Sequence, residues 1–122
     1  MSIAALRLIV KRDATGEALY AARNYRPGDI VVDFAEVEWR PRRDRYTVQH
    51  PAGSHLFHPI LAKVSHSCDP NCEILLWGRV LVAAKTIAPG EPITFDYETT
   101  ESAFAYPFQC LCGSSRCRGR IG

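Results

Sequence analysis

Five cysteines, at positions 68, 72, 110, 112 and 117, set the strongest limit on how this chain can fold. Three of them crowd the tail Cys110-Leu111-Cys112-Gly113-Ser114-Ser115-Arg116-Cys117. Cys110 and Cys112 are too close to bridge each other comfortably. The odd count argues against a disulfide framework. Thiolates converging around a glycine that permits a tight turn suit a zinc ion. A closed zinc site takes four ligands, so the fourth comes from elsewhere, and Cys68 or Cys72 is the donor to expect. Either one draws the C-terminus back to the middle of the chain.

At 122 residues the chain makes one domain with one core. Apolar residues are 47% and charged residues 23%, which excludes wholesale disorder. A net charge of +2 is too weak to argue for nucleic acid by bulk electrostatics, so none is expected as a direct ligand. No run approaches the roughly 20 apolar residues of a membrane span. The stretch Ile3 to Val10 is broken by Arg7 and lacks a small-residue cleavage site, so no secretory signal is expected. The location expected is intracellular.

Eight glycines and eight prolines punctuate the chain. Between them lie short β-branched and aromatic segments: Leu6–Val10, Ala18–Ala22, Ile30–Phe34, Tyr46–Val48, Glu73–Trp77, Arg79–Ala83 and Ile93–Tyr97. The pattern predicts a mostly β unit, with helical turns only near Ile60–Val64 and Glu101–Ala105. Ala21–Val31 and Ala83–Ile93 resemble each other, each setting Pro-Gly-acid before an apolar strand. Trp39 and Trp77 read as packing anchors, and His50, His55 and His58 as surface or core histidines. The run Arg40-Pro41-Arg42-Arg43-Asp44-Arg45 reads as a solvated loop; the alternative is a basic lip extended by Arg116, Arg118 and Arg120.

Two further strings carry chemistry. In Ser65-His66-Ser67-Cys68-Asp69-Pro70-Asn71-Cys72, the Asp-Pro-Asn is a turn flanked by groups able to bind metal or cofactor. Pro89-Gly90-Glu91-Pro92-Ile93-Thr94-Phe95-Asp96-Tyr97 runs from a turn into a strand ending in an aromatic hydroxyl. With the cysteine tail, and in this order, they resemble the SET-domain family of S-adenosylmethionine-dependent protein lysine methyltransferases. The family pattern is Asn-His-Ser-Cys-x-Pro-Asn, then Gly-Glu-Glu-Leu-Thr-Phe-Asp-Tyr, then a post-SET Cys-x-Cys-x4-Cys. Gly16-Glu17-Ala18-Leu19-Tyr20-Ala21 and Pro27-Gly28-Asp29 look like the opening loop and turn of the family domain. Compact microbial and viral members are this short.

The resemblance implies small curled β-sheets closed by a C-terminal pseudoknot, with a SET domain over residues 1–105 and a zinc-bound post-SET tail over 106–122. It implies methyl transfer from S-adenosylmethionine to a lysine of a protein or peptide, a histone or histone-like protein among the candidates. Tyr97 matches the catalytic tyrosine, Phe95 the position that governs methylation degree, and Tyr46 an aromatic of the lysine channel. Gly16, Glu17, Ala18, Ser65 and His66 match the cofactor pocket, with Tyr97 beside it and Phe108 and Leu111 as apolar cover. Cys68 would join Cys110, Cys112 and Cys117 on structural zinc, leaving Cys72 unassigned.

Methyl transfer to an amine needs collinear reactants and a deprotonated lysine, and an aromatic, water-poor channel serves both. The sequence departs from the family at Ser65, where the pattern has Asn, at Ala18, where it has Gly, and at Ala62, where it has Arg. These departures support an alternative reading, a catalytically weakened, zinc-stabilised interaction module. The segment from Asp33 to Ile60, where the family walls its substrate groove, is short. A second subunit, as in a homodimer, or the substrate itself is therefore expected to complete the groove.

Overall fold

The computed structural model describes residues 7–13 and 16–122. Leu6 and the Ile3 to Leu6 part of the apolar stretch lie outside the described residues. Strands β1 (Leu8–Asp13) and β2 (Gly16–Ala21) form an antiparallel hairpin, with Leu8 opposite Ala21. A three-stranded sheet combines β3 (Ile30–Asp33) with β8 (Cys72–Leu75) and β9 (Val80–Ala83), β9 in the middle. A second combines β4 (Glu38–Arg40), β5 (Val48–Gln49) and β6 (His55–Phe57), β6 in the middle. Short pairs β7 (Ser65–His66) with β10 (Thr94–Phe95), and β11 (Phe108–Gln109) with β12 (Arg120–Ile121), complete the described strands. The expected mostly β architecture of small sheets is borne out. No described helix is long and apolar enough to cross a membrane.

The two similar stretches are reciprocal partners. Tyr25 and Ile87 exchange both backbone hydrogen bonds at 2.9 Å. Gly28 N–H donates to Ala83 C=O at 2.7 Å, and Gly90 N–H donates to Ala21 C=O at 2.8 Å. Ala21 N–H donates to Glu91 C=O, and Ala83 N–H to Asp29 C=O, both at 2.9 Å. Both turns need glycine, since Gly28 and Gly90 sit at φ 92° and 90°. Each Pro-Gly turn thus caps the strand leading into the other.

The site is set by one crossing. β7 and β10 run parallel, Ser65 beside Thr94 and His66 beside Phe95. Asn71 clasps them: its Nδ2 donates to Pro92 C=O at 2.8 Å, and its Oδ1 accepts from the Thr94 amide at 3.0 Å. Parallel neighbours need a long connection, and here it is the whole β8–β9 hairpin. Beneath lies a core of Leu19, Phe34, Leu56, Leu81, Ile87 and Ile93, each shielded from solvent. Burying each such side chain stabilises by about 1.5–3 kcal/mol. A second, smaller cluster groups Ile121 and Phe108 with Cys68 and Cys110.

Several expectations change. Trp77 is 74% exposed and Trp39 43%, so neither is a packing anchor. Trp77 sits in the tight β8–β9 reversal, and both rings instead meet the edge-on ring of buried His50, at 4.6 and 5.4 Å. The first helical turn falls at Leu61–Lys63 as expected. The second lies at Tyr97–Thr99 and not over Glu101–Ala105, because the Asp96 carboxylate caps it by accepting from the Glu98 amide. The β4–β6 sheet was not foreseen beyond Tyr46–Val48. His50 and His55 are core residues, and His58 accepts from the Ile60 and Leu61 amides.

Candidate active site

Residues from four separated segments line a single cavity of about 600 Å³. That size lies within the range of small-molecule and cofactor sites. Glu17, Ala18, Tyr46, Ser65, His66, Phe95, Tyr97, Phe108 and Leu111 all line it. Gly16 stands beside it at the start of β2, its φ of 124° suited to glycine. Ala18 has no such requirement, because Arg79 is the only described non-glycine residue at positive φ. The question at Ala18 is therefore the room its methyl takes, not backbone strain.

Tyr97 stands at the foot of β10, its phenol donating to the Val64 carbonyl at 2.5 Å. Its ring lies 5.0 Å from Phe95, 5.2 Å from His66 and 6.0 Å from Phe108. Burial pushes the phenol up to about 12. At neutral pH it is a proton donor and not a base. Phe95 is buried beneath it, while Tyr46 is 54% exposed and forms rim more than wall. Leu111 is 88% exposed, so its side chain is free to cover a ligand.

His66 does not present its polar atoms to the cavity. Its Nδ1 accepts the Tyr97 amide at 3.0 Å, and its Nε2 lies 3.4 Å from Cys68 Sγ. Since Nδ1 accepts, the proton belongs on Nε2, which donates to the sulfur. Burial lowers the imidazole's affinity for a second proton, with Asp96 opposing.

The four sulfurs of Cys68, Cys110, Cys112 and Cys117 lie within 4.8 Å of one another, Cys68 and Cys110 at 3.8 Å. Sulfurs 2.3 Å from a tetrahedral zinc stand about 3.8 Å apart, so the donor set fits that metal. Backbone N–H groups of Cys68 and Ser114 bring the Cys112 thiol down to about 6. Cys72 is turned into the main core, where burial pushes its thiol up to about 12. Its sulfur stands apart from the cluster of the other four.

The short insert reaches the tail by itself. Gln49 N–H donates to Glu101 at 2.9 Å, and Gln49 Oε1 accepts from the Ser102 amide at 2.9 Å. The Arg45 guanidinium lies over the Tyr106 ring at 4.7 Å. One wall of the cavity is thus built within the chain. Two arginines of the alternative basic lip are committed elsewhere, Arg40 to Glu38 and Asp44, and Arg118 to Asp96 and Glu98, while Arg45 lines the cavity. Sequence reading had no role for the Asn71 clasp or the Val64 carbonyl. The pairing of an amide side chain with a strand residue some twenty positions on leaves no local signal.

Comparison with known proteins gives the class. The SET domain family model matches residues 16–98. The chain is 40% identical over 65 residues to the histone-lysine N-methyltransferase ASHR3 of Arabidopsis thaliana, covering 48% of this chain and 13% of that protein. It is 31% identical over 129 residues to a histone-lysine N-methyltransferase, H3 lysine-4 specific, of Cryptococcus neoformans, covering 85% of this chain and 9% of that protein. Its fold is similar to that of KRYPTONITE, solved in complex with mCHH DNA, an H3(1-15) peptide and SAH, with a TM-score of 0.72 and 23% identity over 93% of this chain and 29% of that one. The chain belongs to the SET domain family. It spans about a tenth of the length of the two curated relatives compared here.

Proposed function

We propose that this chain is a protein lysine N-methyltransferase that uses S-adenosylmethionine. The observation that carries the reading is the meeting of Ser65–His66 and Phe95–Tyr97 on one cavity floor beside four zinc-spaced thiols. The segment from Gly16 to Ala18 and Ser65 would hold the cofactor, with Phe108 and Leu111 closing over it. The substrate lysine would enter past Tyr46 toward Phe95 and Tyr97. S-adenosylmethionine, when bound, would supply an electrophilic methyl group, and the lysine, having given one proton to solvent, would take it on its nitrogen lone pair while the carbon–sulfur electrons return to sulfur. The residues supply alignment and dryness in place of covalent chemistry. The Tyr97 phenol, fixed by Val64, orients the amine, and its own high pKa leaves the proton with another acceptor. Zinc, when bound, would hold the tail as a structural crosslink by joining four thiolates.

The substrate class is a protein or peptide lysine, a histone being one candidate, in the cytoplasm or nucleus. The substrate peptide or a second copy of the chain completes the open side of the groove, and a solution mass with and without peptide separates these. Ala18 and Ser65 both line the cavity. That favours the second reading, a zinc-stabilised interaction module with reduced cofactor affinity. Calorimetry with S-adenosylmethionine and S-adenosylhomocysteine decides: binding followed by labelled methyl transfer to a lysine-peptide array supports the enzyme. Absence of binding at hundreds of micromolar leaves the module.

A further inference from the structure

We propose that Arg118 is a positioning residue that latches the cysteine tail onto the strand end carrying Tyr97. Its function is to make Tyr97's placement depend on an assembled zinc site. The inference rests on the reading of Tyr97 as the tyrosine at the reaction centre.

Arg118 follows Cys117 directly, so any order the metal imposes on the tail reaches its backbone first. Its amide donates to Cys68 Sγ at 3.4 Å. Its side chain turns the other way: Nη2 meets Asp96 Oδ1 at 2.7 Å and Nε meets Glu98 Oε1 at 3.0 Å. These two carboxylates flank Tyr97 in the chain. Asp96 is itself committed to that turn, accepting from the Glu98 amide at 3.0 Å while its Oδ1 lies 3.7 Å from His66 Nδ1. One residue therefore grips a thiol ligand with its main chain and both neighbours of Tyr97 with its side chain.

A lone exposed ion pair would carry little. Here a planar guanidinium engages two carboxylates through separate nitrogens, and Asp96 is only 15% exposed on its side chain. That arrangement fixes orientation as well as attraction, which an ammonium would not reproduce. Of the tail arginines that the alternative basic lip would draw on, Arg118 is thus turned inward to the site.

The test uses the zinc-loaded chain and hydrogen exchange of the 97–100 amides, which needs no turnover. In Arg118→Ala, one zinc per chain is retained and these amides exchange roughly tenfold faster. Methyl transfer then shows a kcat lowered by roughly 10- to 100-fold while affinity for S-adenosylhomocysteine holds. Arg118→Gln keeps the stem and the amide, and the same result is expected where the alanine variant folds poorly. Unchanged exchange with zinc bound overturns the latch. Loss of zinc from both variants also overturns it, since Arg118 would then belong to the metal site. If the wild-type chain transfers no methyl group, the exchange result still decides on the latch.

Discussion

The backbone N–H of Tyr97 donates to Nδ1 of His66 at 3.0 Å. The same ring reaches Cys68 through Nε2, so one imidazole spaces the tyrosine from the cysteine cluster. A histidine that a sequence places in the cofactor pocket is, by its hydrogen bonds, the brace of that pocket. Removing the brace in His66→Ala should weaken zinc binding about 10- to 100-fold, as loss of outer-shell partners does elsewhere. Chelator competition measures it. Unchanged zinc affinity would show that the Nε2 contact carries no weight.

Tyr97→Phe should abolish methyl transfer and leave calorimetric binding of S-adenosylhomocysteine intact. It also leaves the Val64 carbonyl without its donor, at a cost of about 1–3 kcal/mol in stability. Full activity in this variant sinks the assignment of the hydroxyl.

The phenol of Tyr97 carries a pH signature. Its folded pKa is raised from 10.0 to about 12 by burial. The protonated phenol therefore stabilises the fold fully below the unfolded value, and that contribution is lost as pH rises from 10 toward 12. Tyrosinate absorbance should show late titration from Tyr97 and from Tyr25, which burial also raises, and the latest step should disappear in Tyr97→Phe. A rate profile with a limb near neutrality that vanishes in that variant would contradict the high value.

Phe95 lies buried 5.0 Å from Tyr97 and has no polar atom to anchor water beside the amine. Multiple methylation is the expected product. Phe95→Tyr should shift the products toward monomethyl-lysine by mass spectrometry, and an unaltered distribution rejects this role.

Asn71→Ala removes the clasp on Pro92 and Thr94 and should destabilise by about 1–2 kcal/mol, because an exposed and a half-buried hydrogen bond are lost together. Thermal unfolding of the zinc-loaded variant reports this directly. A change under about 0.5 kcal/mol would mean that water replaces the side chain.

Much of the site was legible because it lies in contiguous strings. Ser65 to Cys72, Phe95 to Tyr97 and the three tail cysteines each announce themselves by spacing and residue type, and the choice of Cys68 over Cys72 emerges as the family likeness implied. What was not legible depends on distance in the chain. Arg118 looked like part of a charged surface because nothing local links it to Asp96. Asn71 looked like a turn residue because its acceptors and donors lie beyond the β8–β9 hairpin. Trp39 and Trp77 misled for a different reason: size suggests burial, but a tight reversal and an edge strand leave large rings facing water. The β4–β6 sheet escaped because its strands are only two or three residues long, too short to display alternation.

The reciprocal turns at Gly28 and Gly90 bear on how the protein is made. Each turn has its own closing bond, Asp29 N–H to Arg26 C=O and Glu91 N–H to Ala88 C=O. The bonds that cap the strands form only when the other stretch has arrived, so a chain emerging from the ribosome cannot complete the first stretch until the second has been synthesised. Such distant pairing makes folding slow and leaves little to be gained from early local order. A cut between the two stretches, anywhere from residue 35 to 60, therefore yields two fragments with open strand ends rather than two small folded halves.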